Sequence, residues 1–137
     1  MTNAKLVPEL VCSDLDRSLE FYTSVLGFSI LYQRQEERFV YLEREGAEIM
    51  LEETGQCSFV VGDLVKPYGR GINLQIEVSN LDELLEAVRR ASIPVFLPLE
   101  DKWYRRDDVL LGNRQFVVQD PDGYLLRFFQ DIGTRPT

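Results

Sequence analysis

Apolar positions fall into short runs separated by turn residues, and their spacing switches between strand and helix periods. Residues 6–12 are a short apolar run with Pro8 inside it and read as a strand. Proline gives no N–H to a ladder, which puts this strand at an edge or a crossover. Ser13 or Asp14 then caps a helix. Leu15, Leu19, Tyr22 and Leu26 follow helical spacing, and Gly27 supplies the C-terminal stop. Strand-like segments follow at 28–34, 38–42 and 47–52, with Glu43-Arg44-Glu45-Gly46 as a hairpin turn between the last two. Residues 53–71 hold Gly55, Gly62, Pro67, Gly69 and Gly71 and form the longest irregular stretch.

The second half repeats this order. Over residues 72–78, Ile72, Leu74, Ile76 and Val78 alternate with Asn73, Gln75 and Glu77. Asn80 caps a helix whose apolar stripe is Leu81, Leu84, Leu85 and Val88. Strands are predicted at 93–96, 103–110, 114–119 and 124–130, and the tail after Asp131 reads as loose. Asp120-Pro121-Asp122-Gly123 is a strong turn, because proline presets φ and glycine accepts a positive one. Strand, helix and three strands, then the same again, is an internal duplication, and matched details support it. Asp14-Leu15-Asp16 opens the first helix as Asn80-Leu81-Asp82 opens the second, and Glu45-Gly46-Ala47 parallels Asp122-Gly123-Tyr124. The predicted fold class is α+β: two βαβββ modules forming a curved mixed sheet around a cleft. Module one spans about 1–53, a linker about 54–70 and module two about 71–131, all within a single domain of residues 1–137.

Composition narrows the function. The chain has 137 residues, 45% hydrophobic and 28% charged, an ordinary globular balance. No apolar run approaches a membrane span, and no secretory signal is visible at the N-terminus, so a cytoplasmic location is expected. The two cysteines are too few for a disulfide framework, and Cys12 reads as a small core residue. The net charge of −8 argues against nucleic acid and anionic membranes as partners and suits a cationic ligand, although charge of this sign also simply maintains solubility. There is no histidine.

The run from Leu10 through Cys12-Ser13-Asp14-Leu15-Asp16-Arg17-Ser18-Leu19-Glu20-Phe21-Tyr22, closing on Leu26-Gly27-Phe28, resembles the first unit of the vicinal oxygen chelate superfamily. The stretch Phe116-Val117-Val118-Gln119-Asp120-Pro121-Asp122-Gly123-Tyr124-Leu125-Leu126-Arg127-Phe128 resembles that superfamily's other signature. The group includes glyoxalase I, extradiol dioxygenases and bleomycin resistance proteins, so the resemblance specifies a fold more than an activity. Its enzymes hold a divalent metal with His and Glu. By motif register those positions fall at Val7, about Glu52, Asn73 and Arg127. Valine cannot ligate, arginine offers no lone pair, and asparagine alone suits zinc, nickel or iron(II) poorly. Only a hard ion on Glu48, Glu52 or Glu77 remains conceivable. The resemblance therefore implies no catalytic residue, no metal and no cofactor.

Among members without the metal set, the nearest resemblance is to bleomycin resistance proteins, which also begin with a strand like Leu6-Val7-Pro8-Glu9-Leu10. It implies a homodimer that sequesters a small molecule, a bleomycin-like cationic or aromatic antibiotic, in a cleft between subunits and conveys antibiotic resistance without altering the drug. The alternative is a metal-dependent enzyme of the glyoxalase or dioxygenase type, a lyase or isomerase with atypical ligands. If Val7 and Asn73 mark the cleft side, alternation adds Glu9, Gln75 and Glu77, then Glu48, Met50 and Glu52, then Leu125, Arg127 and Phe129. Trp103 and Tyr104 belong to the densest aromatic–basic cluster. The candidate ligand-binding set is thus Glu48, Glu52, Asn73, Gln75, Glu77, Trp103, Tyr104, Arg127 and Phe129. A polar row on a strand is also what a solvated face looks like, and Trp103 can equally pack locally. Arg127, if buried, needs a partner. Glu52 or Glu77 is the first choice, and an anionic group of the ligand is the second.

Overall fold

The computed structural model describes residues 4–55 and 59–137, so Cys57 lies outside the described residues. These divide into two compact units. The first runs to Tyr68 and takes in Asp120–Gly123. The second is Gly69–Gln119 with Tyr124–Thr137.

In the first unit, β1 (Glu9–Cys12) leads through α1 (Leu15–Glu20) to β2 (Ser29–Arg34), β3 (Phe39–Arg44) and β4 (Ala47–Glu53). The sheet order is β1-β4-β3-β2, with β1 parallel to β4 and the other pairs antiparallel. The strand predicted at 6–12 begins only at Glu9, because Pro8 lacks an N–H. Its carbonyl still accepts from the Met50 N–H at 2.9 Å. Asp14 is the helix cap and accepts the Arg17 N–H, while a Glu53 carboxylate oxygen accepts the Leu15 N–H at 2.9 Å. After Glu20 the helix widens into a π turn over Phe21–Val25, with Leu26 N–H bonding to the Phe21 carbonyl. Within α1, Ser18 faces inward one turn after Leu15 while Leu19 is only half-buried, a departure from the predicted stripe.

The first core packs Leu15, Tyr22, Leu26 and Phe28 with Leu10, Cys12, Val40, Leu42, Ile49 and Leu51, the inward-facing residues of the strands. Burial, reinforced by the Asp122 carboxylate, pushes the Cys12 thiol up to about 12, so it stays protonated.

The second unit repeats the topology. β5 (Asn73–Glu77) is followed by α2 (Leu81–Arg90), β6 (Val95–Arg106), β7 (Val109–Gln119) and β8 (Leu125–Pro136), in the order β5-β8-β7-β6. The pair β5/β8 is parallel and the rest antiparallel, so the two predicted βαβββ modules are present. Asn80 caps α2, accepting the Glu83 N–H at 3.1 Å. Asp82 and Glu83 in its first turn and Arg89 and Arg90 in its last complement the helix dipole. Leu81, Leu84, Leu85 and Val88 are buried, as are Ile76, Phe116, Val118, Leu126 and Phe128. The opposite face of this sheet is not covered by α2.

Two strand boundaries differ from the sequence reading. The segments at 93–96 and 103–110 are parts of a β6/β7 hairpin that turns at Asp107, whose φ is 56°. Pro98 is accommodated because β6 is an edge strand with register shifts between Val95 and Glu100. The tail is not loose either: β8 extends to Pro136, which pairs with Val109.

The Asp120–Gly123 turn contains two buried carboxylates. Asp120 accepts the Asp122 and Gly123 N–H groups at 2.9 and 3.0 Å and the Tyr22 hydroxyl at 2.8 Å. Asp122 accepts the Ser13 N–H and hydroxyl, and Lys66 lies 3.4 Å from it. No helix is long and apolar enough to cross a membrane among the described residues.

Two outcomes follow. Tyr22→Phe removes a buried donor from Asp120 and should lower stability by about 1–3 kcal/mol in urea unfolding. The Arg38 guanidinium, 2.9 Å from Glu53, and the Leu15 N–H hold the Glu53 carboxyl below its ordinary 4.5. A lowered native pKa favours folding above the ordinary value and loses that contribution as pH falls through the lowered one. The stability gap between the parent protein and Glu53→Gln should therefore be full at neutral pH and close in acid, as read from urea midpoints across pH.

Candidate functional site

The face of the second sheet opposite α2 carries the polar rows that alternation predicted. Gln75 is the register partner of Arg127, Glu77 of Phe129 and Asn73 of Leu125. On the other side of β8, Gln115 faces Phe129 and Val117 faces Arg127. Tyr104 on β6 completes the row beside Leu111 of β7.

Two adjoining cavities open on this face and share Tyr104. The larger, about 490 Å³, is lined by Gln75, Glu77, Tyr104, Arg106, Phe129 and Asp131, among others. Two carboxylates against one guanidinium leave it net negative. Asp131 spends part of its acceptor capacity on the Gly133 N–H, at 2.7 Å. The smaller, about 320 Å³, is lined by Asn73, Phe96, Leu97, Tyr104, Gln115 and Arg127, among others, and holds one positive charge and no negative one among these.

The polar contacts of Arg127 define the smaller cavity. Its Nη1 donates to the Tyr104 hydroxyl oxygen at 3.4 Å, and the Gln115 side-chain amide donates to the same oxygen at 2.8 Å. The Arg127 Nε and the Gln115 Oε1 are buried without a hydrogen-bond partner among the described residues. The carboxylate partner expected for Arg127 at Glu77 is not found among the described residues, where Glu77 is exposed on β5. The other choice, Glu52, is a residue of the first unit.

The remaining candidates are not among the residues lining these two cavities. Glu48 is buried in the first unit, where it accepts the Tyr41 hydroxyl at 2.6 Å and the Ala4 N–H at 3.3 Å. Glu52 shares its face of β4 with Glu48 and Met50. Trp103 points to the other side of β6 from Tyr104 and lies over Gly112, where an added Cβ would come within 2.6 Å of the ring. The Arg135 guanidinium stacks 4.1 Å from the indole centroid, so Trp103 packs locally. Gln115 was missed by the sequence reading, which did not extend the face alternation to 114–119. The pattern Gln115-Phe116-Val117-Val118 offered the signal, a lone amide on the face opposite Phe116 and Val118.

The donor set does not fit a chelated metal. The family positions Asn73 and Arg127 supply an amide and a cation, and Val7 supplies nothing. Among the described residues no three His, Cys, Asp or Glu groups come together as a potential ion site, including around Glu48, Glu52 and Glu77.

The duplication provides an internal control. Register pairs place Met50 in the first sheet where Arg127 stands in the second, and Phe39 where Gln115 stands. An apolar side chain is thus compatible with the Arg127 position. Arg127→Met should raise the stability of the ligand-free protein by about 1 kcal/mol, because it removes a buried donor that is unmatched among the described residues. Urea unfolding of the two proteins checks this.

Comparison with known proteins agrees with the topology. A model of the Glyoxalase/Bleomycin resistance protein/Dioxygenase superfamily matches residues 6–128. A bleomycin resistance protein of Geobacillus stearothermophilus is 29% identical over 143 residues, covering 92% of this chain and 96% of that protein. A probable lactoylglutathione lyase of Vibrio cholerae is 26% identical over 142 residues, covering 96% and 94%. The crystal structure of TioX from Micromonospora sp. ML1 aligns with a TM-score of 0.71 at 27% identity, covering 95% of this chain and all of that one.

Proposed function

This chain belongs to the glyoxalase/bleomycin resistance protein/dioxygenase superfamily, and from that premise we propose that it binds a small molecule without transforming it. The reading is of a cytoplasmic homodimer that sequesters a bleomycin-like cationic, aromatic antibiotic. The observation that carries it is the larger cavity of the second sheet, where Glu77 and Asp131 lie beside the rings of Phe129 and Tyr104. Carboxylates attract a cation and the rings offer faces for a flat heteroaromatic group. The likeness to bleomycin resistance proteins over nine-tenths of the chain supports the same class of ligand. The net charge of −8 favours encounter with a cation over the whole surface.

The metal-dependent lyase reading draws no support from the donor set, since Arg127 stands where a chelating side chain would be needed. We derive no catalytic step.

Calorimetric titration with metal-free bleomycin tests the proposal. Saturable binding in the micromolar range or tighter is expected, and Glu77→Gln should weaken it about tenfold, the effect of losing one partly desolvated charge contact. No saturation in that range, or stoichiometric zinc, nickel, iron or manganese that only strong chelators remove from the purified protein, would overturn it.

A further inference from the structure

We propose that the smaller cavity, built by Arg127, Tyr104 and Gln115, is a subsite for a carboxylate flanked by a hydrogen-bond donor. The ligand of this sheet face is then bipolar, with a cationic end at Glu77 and Asp131 and an anionic end at Arg127. This deepens the binding reading above and rests on it only in assigning both ends to one molecule.

The hydrogen-bond inventory leads there. Both lone-pair directions of the Tyr104 oxygen are taken, by the Gln115 amide at 2.8 Å and by Arg127 Nη1 at 3.4 Å. Its own O–H proton is left to donate, and two N–H donors on the oxygen make that proton a stronger donor. Arg127 Nε–H is a second donor, buried and unmatched among the described residues. Both groups belong to the lining of one cavity of about 320 Å³. Two donors, one of them charged, suit a carboxylate, which accepts with two oxygens. A guanidinium rejects a cation here, so this cavity and its acidic neighbour select opposite ends.

Gln115 sharpens the class. The residue is only 3% exposed, and its Oε1 is an acceptor with no donor among the described residues. A bare carboxylate would leave that acceptor unsatisfied. A carboxylate carrying a hydroxyl or N–H on the adjacent carbon would satisfy it. Phe96, 60% exposed at the rim, and the side chains of Leu97 and Leu125 supply an apolar wall for an aryl or alkyl substituent.

The positions were not needed for folding in the sister sheet. Met50 and Phe39 occupy the places equivalent to Arg127 and Gln115. A polar pair with unmatched atoms costs stability, and a ligand that satisfies those atoms restores it.

Mandelate, phenylacetate and benzylamine are suitable probes, because they share a ring and differ in the group under test. The Arg127 Nε–H resonance in a nitrogen-15 spectrum of the full chain reports binding directly and needs no variant. Mandelate and phenylacetate should shift it saturably, mandelate binding more tightly by about tenfold. Benzylamine should leave it in place. Arg127→Lys keeps the charge but lacks Nε, and should weaken mandelate binding by about tenfold or more, as should Tyr104→Phe. A resonance unmoved by either carboxylate, or moved equally by benzylamine, overturns the subsite. Equal affinity for mandelate and phenylacetate overturns the role given to Gln115. Bleomycin binding with no carboxylate response overturns the subsite and leaves the acidic cavity standing. Carboxylate binding without bleomycin binding does the reverse.

Discussion

A carboxylate removed from water must be met by hydrogen-bond donors, and Asp120 is met in a way that commits several parts of the chain at once. It takes two N–H groups from its own turn and the Tyr22 hydroxyl from the end of the first helix. Asp122 adds Ser13, which stands between β1 and α1, and its carbonyl accepts the Tyr68 N–H at 2.8 Å. Ser13 and Asp122, 109 positions apart, are thereby joined by hydrogen bonds. The same turn sets where β7 ends and β8 begins, so the register of Gln115, Arg127 and Phe129 is counted from it. Gly123 belongs to this arrangement. Its φ is 109°, and a Cβ there would lie 2.5 Å from the Pro67 Cβ.

Local chemistry made much of this legible from the amino acids alone. Asp14, Asn80 and Gly27 act within four residues of themselves, and the turn bonds of Asp-Pro-Asp-Gly are equally local, although its carboxylates also reach Tyr22 and Ser13. Strand alternation likewise carried the placement of Gln75, Glu77, Arg127 and Phe129 on one face. The failures share a cause. The tail Asp131-Ile132-Gly133-Thr134-Arg135-Pro136 has no apolar alternation of its own, and it is a strand because β7 extends far enough to pair with it. The separate segments read at 93–96 and 103–110 are joined through Pro98, because an edge strand loses little by lacking one N–H. The π turn after Glu20 depends on how the helix end meets the sheet, and spacing does not encode that.

The site was legible as a face and not as a set of bonds. Glu48 and Arg127 are each a charged residue in a strand next to apolar neighbours, and nothing in the sequence distinguishes them. In the structure Glu48 is occupied by Tyr41 and the Ala4 N–H, whereas Arg127 retains an unmatched Nε. Which charge is matched by its neighbours and which is not depends on the residues brought beside it across the strands. Gln115 illustrates the same point. Its chemistry follows from sharing the Tyr104 oxygen with Arg127, a junction of three strands.

Duplicated topology has a consequence for how such a protein can change. Two sheets of identical strand order need not bear the same burdens. The first carries Phe39, Tyr41 and Met50 on its equivalent face, with Phe39 and Tyr41 buried. The second carries an unmatched donor at Arg127 and an unmatched acceptor at Gln115 among the described residues. Substitution at Gln75, Glu77, Gln115 and Arg127 can therefore change the chemistry of that face while the strand order is kept, as the apolar residues at the matching places of the first sheet illustrate.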